Sequence, residues 1–399
     1  MRLGLAVAFA LAVSPTLALA QDGTVKIGVL NDQSTSFSAL GGTEVIRAVE
    51  LAIKDFGGQA LGKPIELVSA DHQNKPDVGL AIAREWLEKD NVDAIADMAN
   101  SAISLGVNTL IGEKGKVGLF VSPLTDRPTE ADCNGHVVAW AYDAYSTVGT
   151  TVKAQLEGGA RKFFILSPDY EAGKVQESWV EAAVTEGGGE VVGKIRAPLG
   201  TTDFSSYILQ AQASGADAIQ LNVNGPELVN SLKQIQEFGL IDAGQKVGVT
   251  FLHQADARAI GVEALQGVRF AAPWFWGKDE ASRAFGTRMM EITGNAPGWI
   301  AAGTYSAVTN YLKAVEKAGT DDAKAVLKAM QEMEIKDFFV ANGTLFPNGR
   351  LIHDMYLLEV KAPGDVKEKD DFFQLVATVP AEQAFRPYSA TACQAKLGG

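Results

Sequence analysis

The sequence is poor in the residues that build metal centres and disulfide frameworks. Its 399 residues include two cysteines and four histidines, and no two histidines have HxxxH or HExxH spacing. A zinc site, which takes Cys and His ligands at short spacings, is therefore not predicted. Basic residues are also few, since 35 Lys and Arg face 48 Asp and Glu for a net charge of −13. A chain of this sign repels phosphate backbones and anionic lipid surfaces, so we predict no nucleic-acid partner and no direct membrane insertion.

Signatures of common cofactors and nucleophiles are missing as well. No GxGxxG motif follows a predicted strand, and no GxSxG elbow of an α/β hydrolase occurs. The string GGQALGKP at residues 57–64 approaches the phosphate-loop pattern, but Pro64 stands where Ser or Thr should bind magnesium. A helix also precedes it where a strand is required, so we interpret it as a helix-to-strand turn. The sequence predicts no cofactor, no metal and no catalytic residue.

A long apolar run opens the chain. Residues 1–20 combine one basic residue, Arg2, an apolar stretch from Leu3 to Val13, and a small-x-small ending before Gln21. This pattern is typical of a cleaved secretory signal peptide, and the stretch is shorter than the ~20 residues that span a bilayer. We therefore predict export to the periplasm, with a net charge of −14 once the single charge of the leader is removed.

The two cysteines predict one disulfide. In an oxidising compartment a pair of cysteines is more often bridged than free. A bridge between Cys133 and Cys393 would tie the carboxy-terminal tail to the first third of the chain. A catalytic cysteine is the alternative interpretation, and no nucleophile motif in the sequence supports it.

Strand and helix patterns alternate along most of the chain. Apolar residues such as Val45, Ala48 and Ala52 recur at helical spacing between strand-like runs at 25–30 and 65–70. Such alternation predicts a parallel sheet with helices on both faces, and the pattern starts again at Lys162. We therefore predict an α/β protein of two doubly wound lobes joined by a multi-strand hinge. The predicted division is residues 24–143 plus 274–336 for the N-terminal lobe, 144–273 plus 337–385 for the C-terminal lobe, and 386–399 for a tail.

Two such lobes leave a cleft into which the loops after the strands project. These loops are rich in uncharged donors and aromatic rings. The candidate ligand-binding residues are Ser34, Ser36, Phe37, Asn100, Ser101, Ala102, Leu124, Thr125, Tyr142, Tyr170, Asn224, Trp274 and Trp276. Amide hydrogens at helix starts, supplemented by hydroxyls, suit a carboxylate without a counter-charge. The rings of Trp274–Trp276 cannot all point inward, so at least one should meet a ligand or the opposite lobe.

These residues lie in a chain that resembles the periplasmic solute-binding proteins of ABC importers, of the branched-chain amino acid (Leu/Ile/Val) type. The similarity runs over nearly the whole mature chain, in strings such as VKIGVLNDQS at 25–34, SPDYEAG at 167–173 and TYSAVTNYLKAVEKAGT at 304–320. The resemblance implies the type I periplasmic-binding-protein fold and capture of a small solute by hinge closure. It also implies a monomer that is not an enzyme and whose partner is an ABC permease in the inner membrane.

The resemblance implies a choice between two ligand classes. It adds the loop His253–Asp256 to the site and gives Gln254 a ligand contact. Branched-chain binders supply a carboxylate to the ligand ammonium from this loop, but here Ala255 holds the matching position and Asp256 is one residue away. The strings ADHQNK and HDMYLLEVK are similar to the branch that binds aromatic carboxylates. We therefore expect a small carboxylate with an aromatic body. The alternatives are a branched-chain or other amino acid, a role as the sensing partner of a membrane receptor, and a secreted enzyme.

Overall fold

The computed structural model describes residues 24–397, and the predicted signal peptide, residues 1–20, lies outside them. The first lobe forms around a parallel sheet whose central strands are short, buried apolar runs, as expected where helices cover both faces. Its elements are β1 (Lys26–Asn31), α1 (Gly42–Asp55), β2 (Gln59–Ala60), β3 (Lys63–Pro64), β4 (Glu66–Asp71), α2 (Pro76–Glu88), β5 (Ala94–Asp97), α3 (Ser101–Lys114), β6 (Val117–Phe120) and β7 (Val137–Ala139). The strand order is β4-β1-β5-β6-β7, with every pair parallel. The GGQALGKP segment is a turn between α1 and β4 that contains the short β2–β3 hairpin.

The second lobe repeats the alternation with a longer sheet. Its first elements are α4 (Ala144–Glu157), β8 (Lys162–Pro168), α5 (Glu171–Glu186), β9 (Glu190–Ala197), α6 (Ser205–Ala213), β10 (Ala218–Leu221), α7 (Pro226–Glu237), β11 (Lys246–Val249), α8 (Gln254–Ile260), α9 (Val262–Leu265) and β12 (Arg269–Ala272). The rest of the chain adds α10 (Glu280–Thr293), α11 (Trp299–Ala318), α12 (Ala323–Glu332), β13 (Thr344–Leu345), β14 (Leu351–Ile352), β15 (Met355–Val360), β16 (Phe373–Val379), α13 (Ala381–Ala384) and α14 (Gln394–Leu397). The sheet order is β16-β15-β12-β11-β10-β8-β9, in which β15 and β16 run antiparallel.

The chain passes between the lobes at several points. Helices α10 to α12 return to the first lobe, where α11 packs against α1 and α12. The chain therefore crosses between β7 and α4, between β12 and α10, and between β14 and β15. A buried ion pair between Asp143 and Arg350 joins the first of these crossings to the segment just before the third. These crossings form the multi-strand connection that the sequence predicts.

Helix α10 and strands β15 and β16 are among the elements that were not predicted from the sequence. The buried face of α10 includes Ser282 and Gly286 beside Phe285, so its apolar period is interrupted. Strand β16 exposes the neighbouring side chains of Leu375 and Val376, so it lacks the alternation of a half-buried strand, and its partner β15 was missed with it. As a result, the second sheet is mixed where a parallel sheet was expected.

The predicted disulfide between Cys133 and Cys393 is present, and its Cα atoms are 5.8 Å apart. The tail that carries Cys393 makes further contacts with the same loop of the first lobe. The Glu130 carboxylate accepts a hydrogen bond from the Ala392 amide at 2.7 Å and lies 3.4 Å from the Arg386 guanidinium. The tail is thereby fixed to the loop after β6.

Candidate functional site

The cleft between the lobes is lined by loops that follow the carboxyl ends of parallel strands, as predicted. Loops of the two lobes lie close together there. A Cβ atom at Gly225, which follows β10, would be 3.4 Å from the Ser36 carbonyl oxygen and 4.0 Å from Leu40 Cδ2, both in the loop after β1. Gly225 has a φ of +56°, which a residue with a Cβ adopts only with strain.

The loop after β5 presents Ser101 to the cleft. Asp97 and Met98 have φ angles of +76° and +65°, and such conformations in non-glycine residues are held only where the surroundings fix them. Asn100 then caps α3, because its Oδ1 accepts hydrogen bonds from amides of the first turn while its Nδ2 donates to Asn74 at 2.6 Å. Ser101 is fully buried, and its Oγ has no hydrogen-bond partner among the described residues. The Ser101 hydroxyl, rather than the Asn100 amide, is therefore free to bind a ligand.

A buried polar network supports this side of the cleft. The Ser122 hydroxyl donates to the Asp97 carboxylate, and the Tyr142 hydroxyl donates to the Ser122 carbonyl oxygen. Burial raises the pKa of Asp97 to about 6, against the opposing effect of its hydrogen bonds. Leu124 and Thr125 follow Ser122 in the same loop, and both are buried. The network holds the Tyr142 hydroxyl in place, and the ring of Tyr142 packs against Phe251 and Trp299.

Four aromatic side chains from different segments form one cluster in the cleft, which we call the aromatic cluster: Tyr142, Phe251, His253 and Trp299. The Trp299 ring lies edge-on to Tyr142 at 4.9 Å and stacks with His253 at 4.9 Å between centroids. Phe251 is 4.8 Å from Tyr142 and 5.4 Å from Trp299. The Trp299 Nε1 and His253 Nδ1 atoms are buried and have no hydrogen-bond partner within residues 24–397. The rings are buried at mixed angles, and Tyr142, Phe251 and Trp299 belong to the main core cluster.

In the loop after β11, the acidic residue Asp256 is hydrogen-bonded to a backbone amide. The Asp256 carboxylate accepts a hydrogen bond from the His253 amide at 3.1 Å, at the start of α8. Burial raises the pKa of Asp256 to about 7 and lowers the pKa of His253 to about 3, so the imidazole is neutral. The Gln254 side chain donates to the Asp370 carbonyl oxygen. Neither side chain is directed as a free anion or donor into the cleft.

The loop after β1 is held by two carboxylates. Ser34 Oγ donates to Asp71 and Thr35 Oγ1 donates to Asp32, each at 2.5 Å. The Phe37 amide also donates to Asp32, and its ring is buried in the main core cluster. The hydroxyl hydrogens of Ser34 and Thr35 are thus used within the protein, whereas Ser36 Oγ accepts from Asn74 Nδ2 at 3.4 Å.

The other predicted residues are distributed around these walls. Tyr170 begins α5 and packs against the same core cluster as Tyr142, and burial raises the pKa of its hydroxyl. Asn224 has a buried Oδ1 without a partner in the described part of the chain. Ala102 is exposed in the first turn of α3. Of the predicted residues, Ser101 and Asn224 therefore have a buried polar atom without a partner among residues 24–397, and Tyr142 lies in the aromatic cluster.

The two predicted tryptophans have other partners. Trp274 donates its indole N–H to Ser282 Oγ at 2.9 Å and is buried among phenylalanine rings. Trp276 donates to the Asp370 carbonyl oxygen at 3.0 Å, and the Arg283 guanidinium lies 5.0 Å above its ring. Neither ring belongs to the aromatic cluster.

Sequence reasoning missed Phe251, His253 and Trp299 as candidate ligand contacts. Phe251 and His253 lie beside Gln254, which was predicted, so the loop was found but not the side chains that face the cleft. Trp299 follows Pro297 and Gly298 at the start of a helix, and an aromatic residue at a helix start at the strand-end edge is the signal that was available.

A comparison with family models decides the class of protein. Residues 24–366 match the family described as periplasmic binding protein. The chain belongs to the periplasmic binding protein family. The family and the fold are those of solute-binding proteins.

Solved structures agree with this assignment. A periplasmic binding protein from Burkholderia mallei is 38% identical, with a TM-score of 0.90, and the match covers 93% of this chain and 98% of that one. A branched chain amino acid ABC transporter periplasmic ligand-binding protein from Burkholderia xenovorans is 41% identical, with a TM-score of 0.85 over 92% and 98% of the chains. A solute-binding protein of an R. palustris ABC transporter, in complex with 4-hydroxybenzoate, is 21% identical over 91% and 98%, with a TM-score of 0.82, which concerns the fold alone. The predicted type I periplasmic-binding-protein fold is confirmed.

This periplasmic binding protein also has a cavity of about 420 Å³ at the edge of its cleft. The start of α1 and the first turns of α8 form opposite walls, and the residues before α11 form a third. Glu44 lies on the α1 wall, and burial raises the pKa of its carboxyl to about 8, against a hydrogen bond from the Gly298 backbone. This carboxyl is therefore neutral at pH 7.

Two further findings concern residues 24–397. They contain no group of three His, Cys, Asp or Glu side chains arranged to hold a metal ion. They also contain no helix with the length and apolar character needed to span a bilayer.

Proposed function

We propose that this protein captures a small carboxylate with an aromatic body in the cleft and delivers it to an ABC importer. The observations that carry the proposal are the unpartnered, buried Ser101 hydroxyl and an aromatic cluster beside which the Asp256 carboxylate accepts a hydrogen bond from the His253 amide. The protein would act in the periplasm as a monomer after cleavage of residues 1–20. Its partner would be a permease in the inner membrane that recognises the closed form.

The ligand carboxylate is assigned to the start of α3. The Asn100 Oδ1 atom already accepts hydrogen bonds from the Ala102 and Ile103 amides, so the donor assigned to the anion here is the Ser101 hydroxyl, at the positive end of the helix dipole. Thr125, buried in the neighbouring loop, supplies a second hydroxyl.

The ligand ring is assigned to the aromatic cluster. Rings prefer offset or edge-to-face contacts, which the mixed orientations of Tyr142 and Trp299 can provide. Tyr170 and Asn224 would close the site from the second lobe. The proposed contacts are therefore divided between the lobes, so the ligand stabilises their closed arrangement.

The loop after β11 favours an acid that has no ammonium group. A buried ammonium costs several kcal/mol unless a charge or hydrogen bonds compensate it, roughly as for other unpaired buried ions. Asp256 is the one carboxylate of the first turn of α8, and the His253 amide already binds it. The R. palustris protein, which shares this fold at 21% identity, was crystallised with 4-hydroxybenzoate. The fold can therefore hold an aromatic acid.

A branched-chain or other amino acid is the second candidate ligand. The 41% identical Burkholderia xenovorans protein, which is described as a branched chain amino acid ABC transporter periplasmic ligand-binding protein, favours it. In that case a carboxylate must turn toward the ligand, and Asp256 would have to leave the His253 amide.

A ligand panel tests the proposal. Benzoate, 4-hydroxybenzoate, leucine and phenylalanine are added to the purified mature protein, and the melting temperature and heat of binding are measured. A ligand that binds the native state alone raises stability by RT ln(1 + [L]/Kd), so the aromatic acids should raise the melting temperature. Stabilisation by leucine or phenylalanine alone would contradict the aromatic-acid assignment.

A tryptophan pair tests the position of the ring. Trp299→Ala should weaken 4-hydroxybenzoate binding by ~1–3 kcal/mol, as loss of a central aromatic contact does. Trp86→Phe is the control, because Trp86 packs over Gly28 on the α2 side of the first sheet, away from the aromatic cluster. Equal affinities for the wild type and Trp299→Ala would place the ring elsewhere.

A further inference from the structure

Asp370 gathers hydrogen bonds from segments that are distant in sequence. It lies between β15 and β16, is 3% exposed, and has a φ of +66°. Its carboxylate accepts two hydrogen bonds from Arg258 of α8, both at 3.0 Å, and one from the Ala296 amide at 2.8 Å. Its carbonyl oxygen accepts from the side chains of Gln254 and Trp276. One residue of the second lobe therefore joins α8 to the segment that leads into α11 of the first lobe.

These partners stand beside two walls of the ligand site. Gln254 directly follows His253, and Ala296 precedes Trp299 by three residues. The stacked contact between His253 and Trp299, with centroids 4.9 Å apart, therefore depends on the relation between the two segments that Asp370 holds.

We propose that Asp370 is a positioning residue of the ligand site, which holds α8 and residues 294–298 so that His253 and Trp299 face each other. The inference rests on the proposed function, since it concerns the same cleft. A carboxylate suits this place because it accepts a forked pair of hydrogen bonds from a guanidinium and still has lone pairs for an amide. The bond to Ala296 crosses between the lobes, so the same residue links the site to their closure.

The same loop supplies a matched control. Glu368 pairs with Arg283 at 2.6 Å, also across to the first lobe, but both side chains are about half exposed, at 52% and 44%. Arg283 lies 5.0 Å above the Trp276 ring, but no hydrogen bond among the described residues joins the side chains of this pair to α8 or residues 294–298. Exposed ion pairs contribute little, so Glu368→Gln changes the charge of the loop without affecting the site.

Asp370→Asn is the test variant. Asn adopts a positive φ as readily as Asp, so the backbone conformation is preserved while the forked charge pair is lost. We expect the Kd for 4-hydroxybenzoate to rise about tenfold or more in Asp370→Asn and to stay unchanged in Glu368→Gln. Arg258→Gln leaves the Asp370 charge buried without its cation, so it should also weaken binding. The double variant Asp370→Asn/Arg258→Gln should lose less binding free energy than the two single variants added together.

Hydrogen–deuterium exchange on the ligand-free protein gives a second readout. In Asp370→Asn, exchange should rise together in peptides covering 253–258 and 293–299, and Glu368→Gln should leave both unchanged. A lower melting temperature with unchanged Kd, or exchange that rises in 366–371 alone, would overturn the proposal. If the wild type binds no member of the ligand panel, the proposed function fails. The exchange rates of peptides 253–258 and 293–299 in Asp370→Asn then still show whether Asp370 couples the two segments.

Discussion

Ser101 is the side chain on which the proposed carboxylate contact depends most. A hydrogen bond to a charged group contributes about 1.5–3 kcal/mol, so Ser101→Ala should raise the Kd of an aromatic acid by roughly ten- to a hundredfold. Titration calorimetry on the mature protein measures this change. Ser231→Ala is the control, because Ser231 is equally buried but donates to the Leu228 carbonyl oxygen within α7. Equal losses in both variants would indicate a general effect of removing a buried hydroxyl.

Glu44 gives a pH dependence at the same scale. Its pKa is raised to about 8 when folded and is near 4.5 when unfolded, so the folded state keeps a proton that the unfolded state loses between these values. The free energy of unfolding contributed by Glu44 therefore falls as pH rises from 4.5 to 8. Glu44→Gln lacks this dependence, so wild-type stability relative to the variant should fall by roughly 1–3 kcal/mol from pH 5 to 8.5. Urea melts measure it, and a constant difference would show that Glu44 ionises normally.

Strand-end reasoning predicted part of the candidate site at the level of residues. Ser101 and Asn224 were named because the chain places uncharged donors after β5 and β10, and their buried polar atoms have no partner among the described residues. The sequence analysis also named Ser34 and Asn100. In the structure the Ser34 hydroxyl donates to Asp71, and the Asn100 side-chain amide donates to Asn74. Sequence cannot reveal such internal partners, since they come from other loops. Trp299 was missed for the same reason, because its partners in the aromatic cluster are distant in sequence.

At the scale of elements, the tail beyond β16 depends on the disulfide. Cys133 and Cys393 are separated by 260 residues, and a bridge that closes so long a loop restricts the unfolded chain. The double variant Cys133→Ser/Cys393→Ser should lose about 2–5 kcal/mol of unfolding free energy, as typical native disulfides contribute. Urea melts of the two proteins measure it. Wild-type protein that shows two free thiols when denatured without reductant would contradict the bridge.

Element boundaries were predictable where apolar spacing was regular. The apolar spacing predicts helices over Ser205–Ala213 and Ala301–Ala318; α6 has the first of these bounds, and α11 begins two residues earlier than the second, at Trp299. Helix α10 was missed because Ser282 and Gly286 occupy its buried face and fit only after tertiary packing, with the Ser282 hydroxyl accepting from Trp274. Local pattern therefore predicts elements whose apolar face is continuous, and packing decides the others.

At the scale of the whole molecule, the covalent connection between the two lobes consists of a few crossings of the chain. The chain crosses between them at the connections from β7 to α4, from β12 to α10, and from β14 to β15. The proposed ligand contacts come from both sides, with Ser101 on the first lobe and Asn224 on the second. A ligand held by both lobes shifts the population toward the closed arrangement by its differential affinity for that arrangement.

Closure can be measured by small-angle X-ray scattering. With saturating ligand from the panel, the radius of gyration of the wild type should decrease, because hinge motion about the crossings would shift the population toward the arrangement described here, in which the loops near Ser36 and Gly225 are close together. Ser101→Ala at a ligand concentration that leaves it largely unbound should keep the profile of the ligand-free protein, which separates closure from a solvent effect of the ligand. An unchanged wild-type profile at proven saturation would show that the ligand binds without lobe motion, and a permease would then have to recognise something other than a closed form.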